Sequence, residues 1–117
     1  MKYVDVATAG GKVTFPMKVL LKIARRIILS VPGVDSLEKN NEDSIKIEVQ
    51  RNVFSFNLYL VFNLSKRVPE VSWNLQRKLK ECFEGKTGLR VERINVHIQE
   101  FSAFGLNNEF QPPPFLG

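Results

Sequence analysis

His97 and Cys82 are the residues best suited by type to move a proton or attack an electrophile, and each is the single example of its kind in the chain. A general base needs a proton donor within reach, and a nucleophilic thiol needs a base beside it. His97 stands in Asn95-Val96-His97-Ile98-Gln99, with no serine or cysteine motif around it. Cys82 falls at helical spacing with Leu79 and Phe83, the place of a small core residue. No catalytic or cofactor-binding residue is therefore expected. A zinc site would have to gather Cys82, His97 and two carboxylates without the paired spacing that zinc sites use, so no metal is expected either. One cysteine forms no intramolecular disulfide, which fits a reducing compartment.

Gly85-Lys86-Thr87-Gly88 spells GxxG, the loop with which KH domains clamp a nucleic-acid backbone. KH function sets that loop between two helices. Here it leads from a helix into a strand, so Gly85 reads as the helix C-cap and Gly88 as the entry to the strand. The net charge of +5, from 17 basic and 12 acidic residues, is compatible with nucleic acid, anionic lipid or an acidic protein and selects none of them. A KH-like single-stranded nucleic-acid binder stands as the alternative function.

Binding chemistry is more visible than catalytic chemistry. At 100° per residue, Trp73 lies on the side of its helix opposite Val71, Leu75 and Cys82, with Arg77, Lys80 and Glu84 for neighbours. Trp and Arg dominate binding hot spots, so this tryptophan is either covered by the chain's own tail or offered to a partner. A second surface is a polar sheet face with Lys46, Tyr59, Arg93 and Asn95. Tyr59 alone is a poor stacking platform for RNA, and a solvated face is expected. The candidate partner-binding residues are Trp73, Arg77, Lys80, Tyr59, Phe101 and Phe104.

The elements that must position these residues follow from periodicity. Lys12-Val13-Thr14-Phe15 reads as a short edge strand after Gly10-Gly11, with Thr14 placed to cap a helix and Pro16 in its first turn. Val19, Leu20, Ile23, Ala24, Ile27, Ile28 and Val31 make one apolar stripe, predicting a helix from Pro16 to Val31 that Pro32-Gly33 stops. Past a polar loop from Glu38 to Asp43 the period becomes two. Ile45, Ile47 and Val49 form one strand and, after a turn at Arg51-Asn52, Phe54 to Leu64 form a longer one. Val71, Leu75, Leu79, Cys82 and Phe83 stripe a second helix that opens at Pro69 and ends near Gly85. Leu89 to Ile98 is the last strand, with Ile94, Val96 and Ile98 inward and His97 outward.

The fold expected is α+β, a two-layer sandwich in the order (β)-α-β-β-α-β. Two helices pack on one face of a small mixed sheet, and the crossover brings the last strand parallel to the long one. At 117 residues this is one domain, over residues 1 to 99, followed by a Phe- and Pro-rich tail over residues 100 to 117. The tail holds four of the nine phenylalanines and Pro112-Pro113-Pro114. It is expected to lie on an outer surface, near Trp73 or Tyr59, and to be ordered to Phe104. Met1-Lys2-Tyr3-Val4-Asp5 leads into no apolar run, and the longest apolar stretches, Val19 to Leu21 and Ile27 to Leu29, are brief. Neither a leader nor a membrane span is expected.

These segments also carry a resemblance. Gly11-Lys12-Val13-Thr14-Phe15, a helix ending Val31-Pro32-Gly33-Val34, Asn74-Leu75-Gln76, Thr87-Gly88-Leu89 and Val91 to Ile98 resemble, in order and spacing, the alkaline-shock, glucose-starvation family of bacterial stress proteins. The likeness spans about residues 10 to 99. It implies a cytoplasmic protein of cell-envelope homeostasis without catalytic activity, some relatives being held at the membrane by a separate anchoring protein. A non-enzymatic interaction module is therefore expected, with a protein partner that is a membrane anchor or, through self-association, a second copy of the chain. The resemblance implies no cofactor.

Overall fold

A β-hairpin precedes the first helix. Tyr3–Thr8 (β1) and Gly11–Pro16 (β2) pair antiparallel, from Tyr3 opposite Pro16 to Thr8 opposite Gly11. The pairing of Lys12 to Phe15 was expected; the strand opposite them was not. Thr14 does not cap the helix. Its hydroxyl donates to Asp5 Oδ1 across the hairpin at 2.8 Å. The helix start is met by backbone instead, the Met17 N–H donating to the Lys2 carbonyl at 2.9 Å.

This computed structural model describes residues 2 to 37, 44 to 63 and 66 to 102. The expected polar loop from Glu38 to Asp43, together with Leu64, Phe104 and the rest of the tail, lies outside the described residues.

Met17–Leu29 (α1) ends one turn's fraction earlier than its apolar stripe, capped at Ser30, whose hydroxyl donates to the Ile27 carbonyl at 2.6 Å. Val31 is still buried beyond that end. The chain turns at Gly33, with φ of 99°, into Val34–Leu37 (β3), a strand the periodicity did not announce. Ile45–Gln50 (β4) and Val53–Asn63 (β5) form the expected hairpin, and Arg51 and Asn52 both take positive φ in its two-residue turn.

Val68–Thr87 (α2) runs two residues past Gly85. The C-cap is Gly88, at φ of 75°, and not Gly85, which sits inside the last turn. Arg90–Ser102 (β6) also runs beyond the expected Ile98, so Phe101 belongs to a strand and not to a tail.

β5 is the spine. One of its edges carries β6, parallel, along the whole length. The opposite edge is shared end to end by two antiparallel strands, β4 opposite Val53 to Leu58 and β3 opposite Leu60 to Phe62. Phe54, Phe56, Leu58, Leu60 and Phe62 have no exposed surface, whereas the alternating residues are half-buried. Leu20, Ala24, Ile27 and Ile28 of α1 and Val71, Leu75, Leu79 and Phe83 of α2 share one core cluster with that buried face. The result is two layers, helices on one side of a mixed sheet and a polar surface on the other. Phe83 anchors the layers by meeting Phe54 at 4.8 Å and Phe56 at 4.9 Å, both edge to face. Each such fully buried ring contributes roughly 1.5–3 kcal/mol through its area alone.

Candidate interaction surface

Trp73 stands on the outer side of α2 because the helix spends its inward positions on Val71, Leu75 and Leu79. It is 61% exposed, more than any other large hydrophobic residue among those described. The Arg77 guanidinium lies 5.0 Å from its ring, one turn along, where a cation over the indole face is attracted by the ring quadrupole. Glu81, a further turn on, reaches Arg77 at 3.9 Å and helps hold it there. Trp73, Arg77, Lys80 and Gln76 form the wall of a groove of about 350 Å3 whose floor is Val91, Glu92 and Ile94 of β6. Gln76 crosses that groove, its Nε2 donating to the Ile94 carbonyl at 3.1 Å. Trp73, Arg77 and Lys80 are thus brought together as expected, and β6 supplies the floor that helix spacing does not reveal.

Tyr59 lies apart from them, on the open sheet face. Cross-strand register sets it opposite His97, and the two rings stack at 4.7 Å and 12° from parallel. Lys46 Nζ stands 5.8 Å from the tyrosine ring. Asn57 Oδ1 accepts from Asn95 Nδ2 at 3.2 Å and lies 3.3 Å from His97 Nε2. His97 joins Tyr59 only through the parallel pairing of β5 with β6, a relation that their separation in sequence hides. Phe101 is opposite Phe62 on the helix side of the sheet and is 44% exposed.

The GxxG segment is not an open loop. Gly85 to Thr87 are helical, the Thr87 hydroxyl donates to the Phe83 carbonyl at 2.8 Å, and it accepts from the Leu89 N–H at 3.2 Å. Cys82 is half-buried against the core. Among the described residues, no three His, Cys, Asp or Glu side chains gather as metal ligands, and no helix is long and apolar enough to cross a membrane.

Fold and surface together define a small α+β domain whose distinctive chemistry is an exposed aromatic–cation pair beside a sheet edge. Its fold is similar to that of the MamM CTD covering residues 215 to 293 of that protein, at 15% identity and a TM-score of 0.54, over 73% of this chain and 99% of that one. A doubly substituted form of the same domain gives 15% identity and a TM-score of 0.53, over 72% and 98%. At that identity the likeness is one of fold. By sequence, the chain belongs to the alkaline shock protein 23 family, of cell envelope-related function, whose pattern matches residues 5 to 103. A Streptococcus pyogenes serotype M6 protein, Spy1614, is 32% identical over 53 residues. That match covers 45% of this chain and 44% of the streptococcal protein.

Proposed function

We propose that this protein is a non-enzymatic interaction module of the cell envelope, acting from the cytoplasmic side by binding a protein partner through the groove between α2 and β6. The observation that carries the reading is Trp73, exposed and paired with Arg77 at the wall of a groove floored by Val91, Glu92 and Ile94. An indole this open to water is costly unless a contact closes over it, and Trp with Arg is the pairing that binding hot spots favour. Membership of an envelope-related family supports the cellular setting. The placement of His97, stacked on Tyr59, and of Cys82, packed against the core, supports the absence of catalysis.

Trp73 is the only tryptophan, so its emission reports the groove directly. The test is a pull-down from native extract with the wild-type chain and with Trp73→Ala/Arg77→Glu, each washed at low and high salt. Proteins retained by the wild type through high salt and lost from the variant support the reading. Equal retention by both overturns it. Capture of nucleic acid that collapses with salt would favour phosphate binding instead.

A further inference from the structure

The two outer edges of the sheet differ in their cover. Along β6, α2 reaches over: Glu84 Oε2 accepts from the Val91 N–H at 2.7 Å, and Gln76 holds the Ile94 carbonyl. Along β4, nothing among the described residues does the same. The two-residue turn at Arg51 and Asn52 makes Gln50 and Val53 a hydrogen-bonded pair, and such pairs recur at every second residue of an antiparallel ladder. Glu48 and Lys46 therefore bond to Ser55 and Asn57 of β5. Ile45, Ile47 and Val49 turn their N–H and C=O groups the other way, to the open edge. The same parity shows further along that side of β5, where the Asn63 N–H donates to the Gly33 carbonyl at 2.7 Å.

We infer that the β4 edge takes a second copy of this chain, its β4 antiparallel to the first about a twofold axis at Ile47. A twofold contact must be self-complementary, residue i meeting j and j meeting i. About Ile47, Lys46 meets Glu48 of the second copy, Glu48 meets its Lys46, and Ile45 meets its Val49. Hydrogen-bonding parity agrees, since the Ile47 pair and the Ile45–Val49 pairs are those whose backbone groups face outward. Lys46 and Glu48 then form the non-hydrogen-bonded pairs, where side chains come closest. Both side chains are exposed, and among the described residues neither makes an ion pair within its own chain. The Lys46 ammonium rests only near the Tyr59 ring, at 5.8 Å.

Charge selects this register. Moving the axis by one residue sets Lys46 against Lys46 or Glu48 against Glu48, and like charges directly opposite are destabilising. A lysine on an edge strand ordinarily discourages pairing. With Glu48 two residues on, it discourages the neighbouring registers and favours this one. The faces match as well. Ile45, Ile47 and Val49 pair within their own chain with the buried Leu58, Phe56 and Phe54, yet Ile47 and Val49 stay half-buried. The second copy completes their burial. β4 lies across β5 from the Trp73 groove, so the dimer carries one groove at each far edge of a continuous sheet.

Sedimentation of the full chain from micromolar to millimolar concentration, with residue-resolved amide exchange over β4, tests this. The expected result is a concentration-dependent dimer whose formation slows exchange at Ile47 and Val49. Exchange at Lys46 and Glu48 should be slow at every concentration, since those amides bond to β5, and it reports that each variant is folded. Lys46→Glu and Glu48→Lys should each weaken dimerisation about tenfold, by setting like charges opposite one another twice. An equimolar mixture of the two variants should recover it, because in the mixed dimer every carboxylate again faces an ammonium. Trp73→Ala/Arg77→Glu should leave the dimer unchanged. A monomer at every concentration overturns the proposal, as does slow exchange at Ile47 and Val49 in the monomer, which would assign the edge to a segment of the same chain. A dimer that both single charge variants leave intact, or a mixture that stays weak, overturns the proposed register. Loss of the dimer in Trp73→Ala/Arg77→Glu would place the contact at the groove and overturn the proposal too.

Discussion

Asn52 holds Ala7 by both ends of its backbone: its Oδ1 accepts from the Ala7 N–H at 3.3 Å, and its Nδ2 donates to the Ala7 carbonyl at 3.0 Å. The turn between β4 and β5 thus clasps the free edge of the N-terminal hairpin, forty-five residues away in sequence. Asn52 also sits at φ of 63°, a conformation asparagine tolerates better than most residues. Asn52→Gly keeps the turn and loses the clasp, for about 1 kcal/mol. Asn52→Ala should lose about 1 kcal/mol more, through the backbone strain of a Cβ there. Urea titration of both variants separates the terms; equal losses would remove the conformational one.

Gly33→Ala should be among the costliest single-methyl changes in the chain. With φ at 99°, the backbone is strained for any L side chain, and the new Cβ would run into Val71 Cγ2 on α2. The Gly33 carbonyl is also fixed, accepting from the Asn63 N–H at 2.7 Å. Strain and overpacking together should cost about 2–4 kcal/mol in a denaturation experiment. A loss below about 1 kcal/mol would mean that α2 can move aside.

Gly85 and Gly88 should respond in opposite directions. A Cβ at Gly85 meets nothing and the residue is helical, so Gly85→Ala should stabilise by about 0.5–1 kcal/mol. Gly88→Ala should destabilise by about 1 kcal/mol, because the left-handed cap favours glycine. Thermal melts of the two variants decide which glycine ends the helix.

Phe83→Leu should cost about 1–2 kcal/mol and Phe83→Ala about 3–5 kcal/mol, since the ring fills the angle between Phe54 and Phe56. The loss should show in near-ultraviolet dichroism before it shows in helix content. An Ala variant as stable as the wild type would show that the two remaining phenylalanines close the gap.

Much of the fold was legible because it obeys one period at a time. Phe54 to Phe62 alternate without interruption, and the two helices carry unbroken stripes, so strands, helices and the inward faces followed. Trp73 was legible for the same reason, as the residue a helical stripe excludes. What escaped is where a bulge resets the count. In β3, Val34 and Leu37 are both buried three residues apart, because the register slips between Val34 and Ser36. In β6, Gln99 is the extra residue, so the inward series passes from Ile98 to Phe101 and the alternation looks finished too soon. β1 offers only Val4 and Val6, too few for a period. The Tyr59–His97 stack and the floor of the Trp73 groove depend on which strands lie side by side, and parallel pairing across a helix leaves no local trace.

The sharing of one β5 edge by β3 and β4 has a consequence for chain length. Leu37 pairs with Leu60 and Ile45 with Leu58, so the two strands take up positions two β5 residues apart on one edge. Seven residues, 38 to 44, separate the two pairings along the sequence, where a continuous strand would need one. Loop closure becomes only slowly costlier with length, about 0.6 kcal/mol for each doubling. A peptide tag or a small reporter domain spliced between Leu37 and Ser44 would therefore lengthen the chain while leaving both registers against β5 as they are.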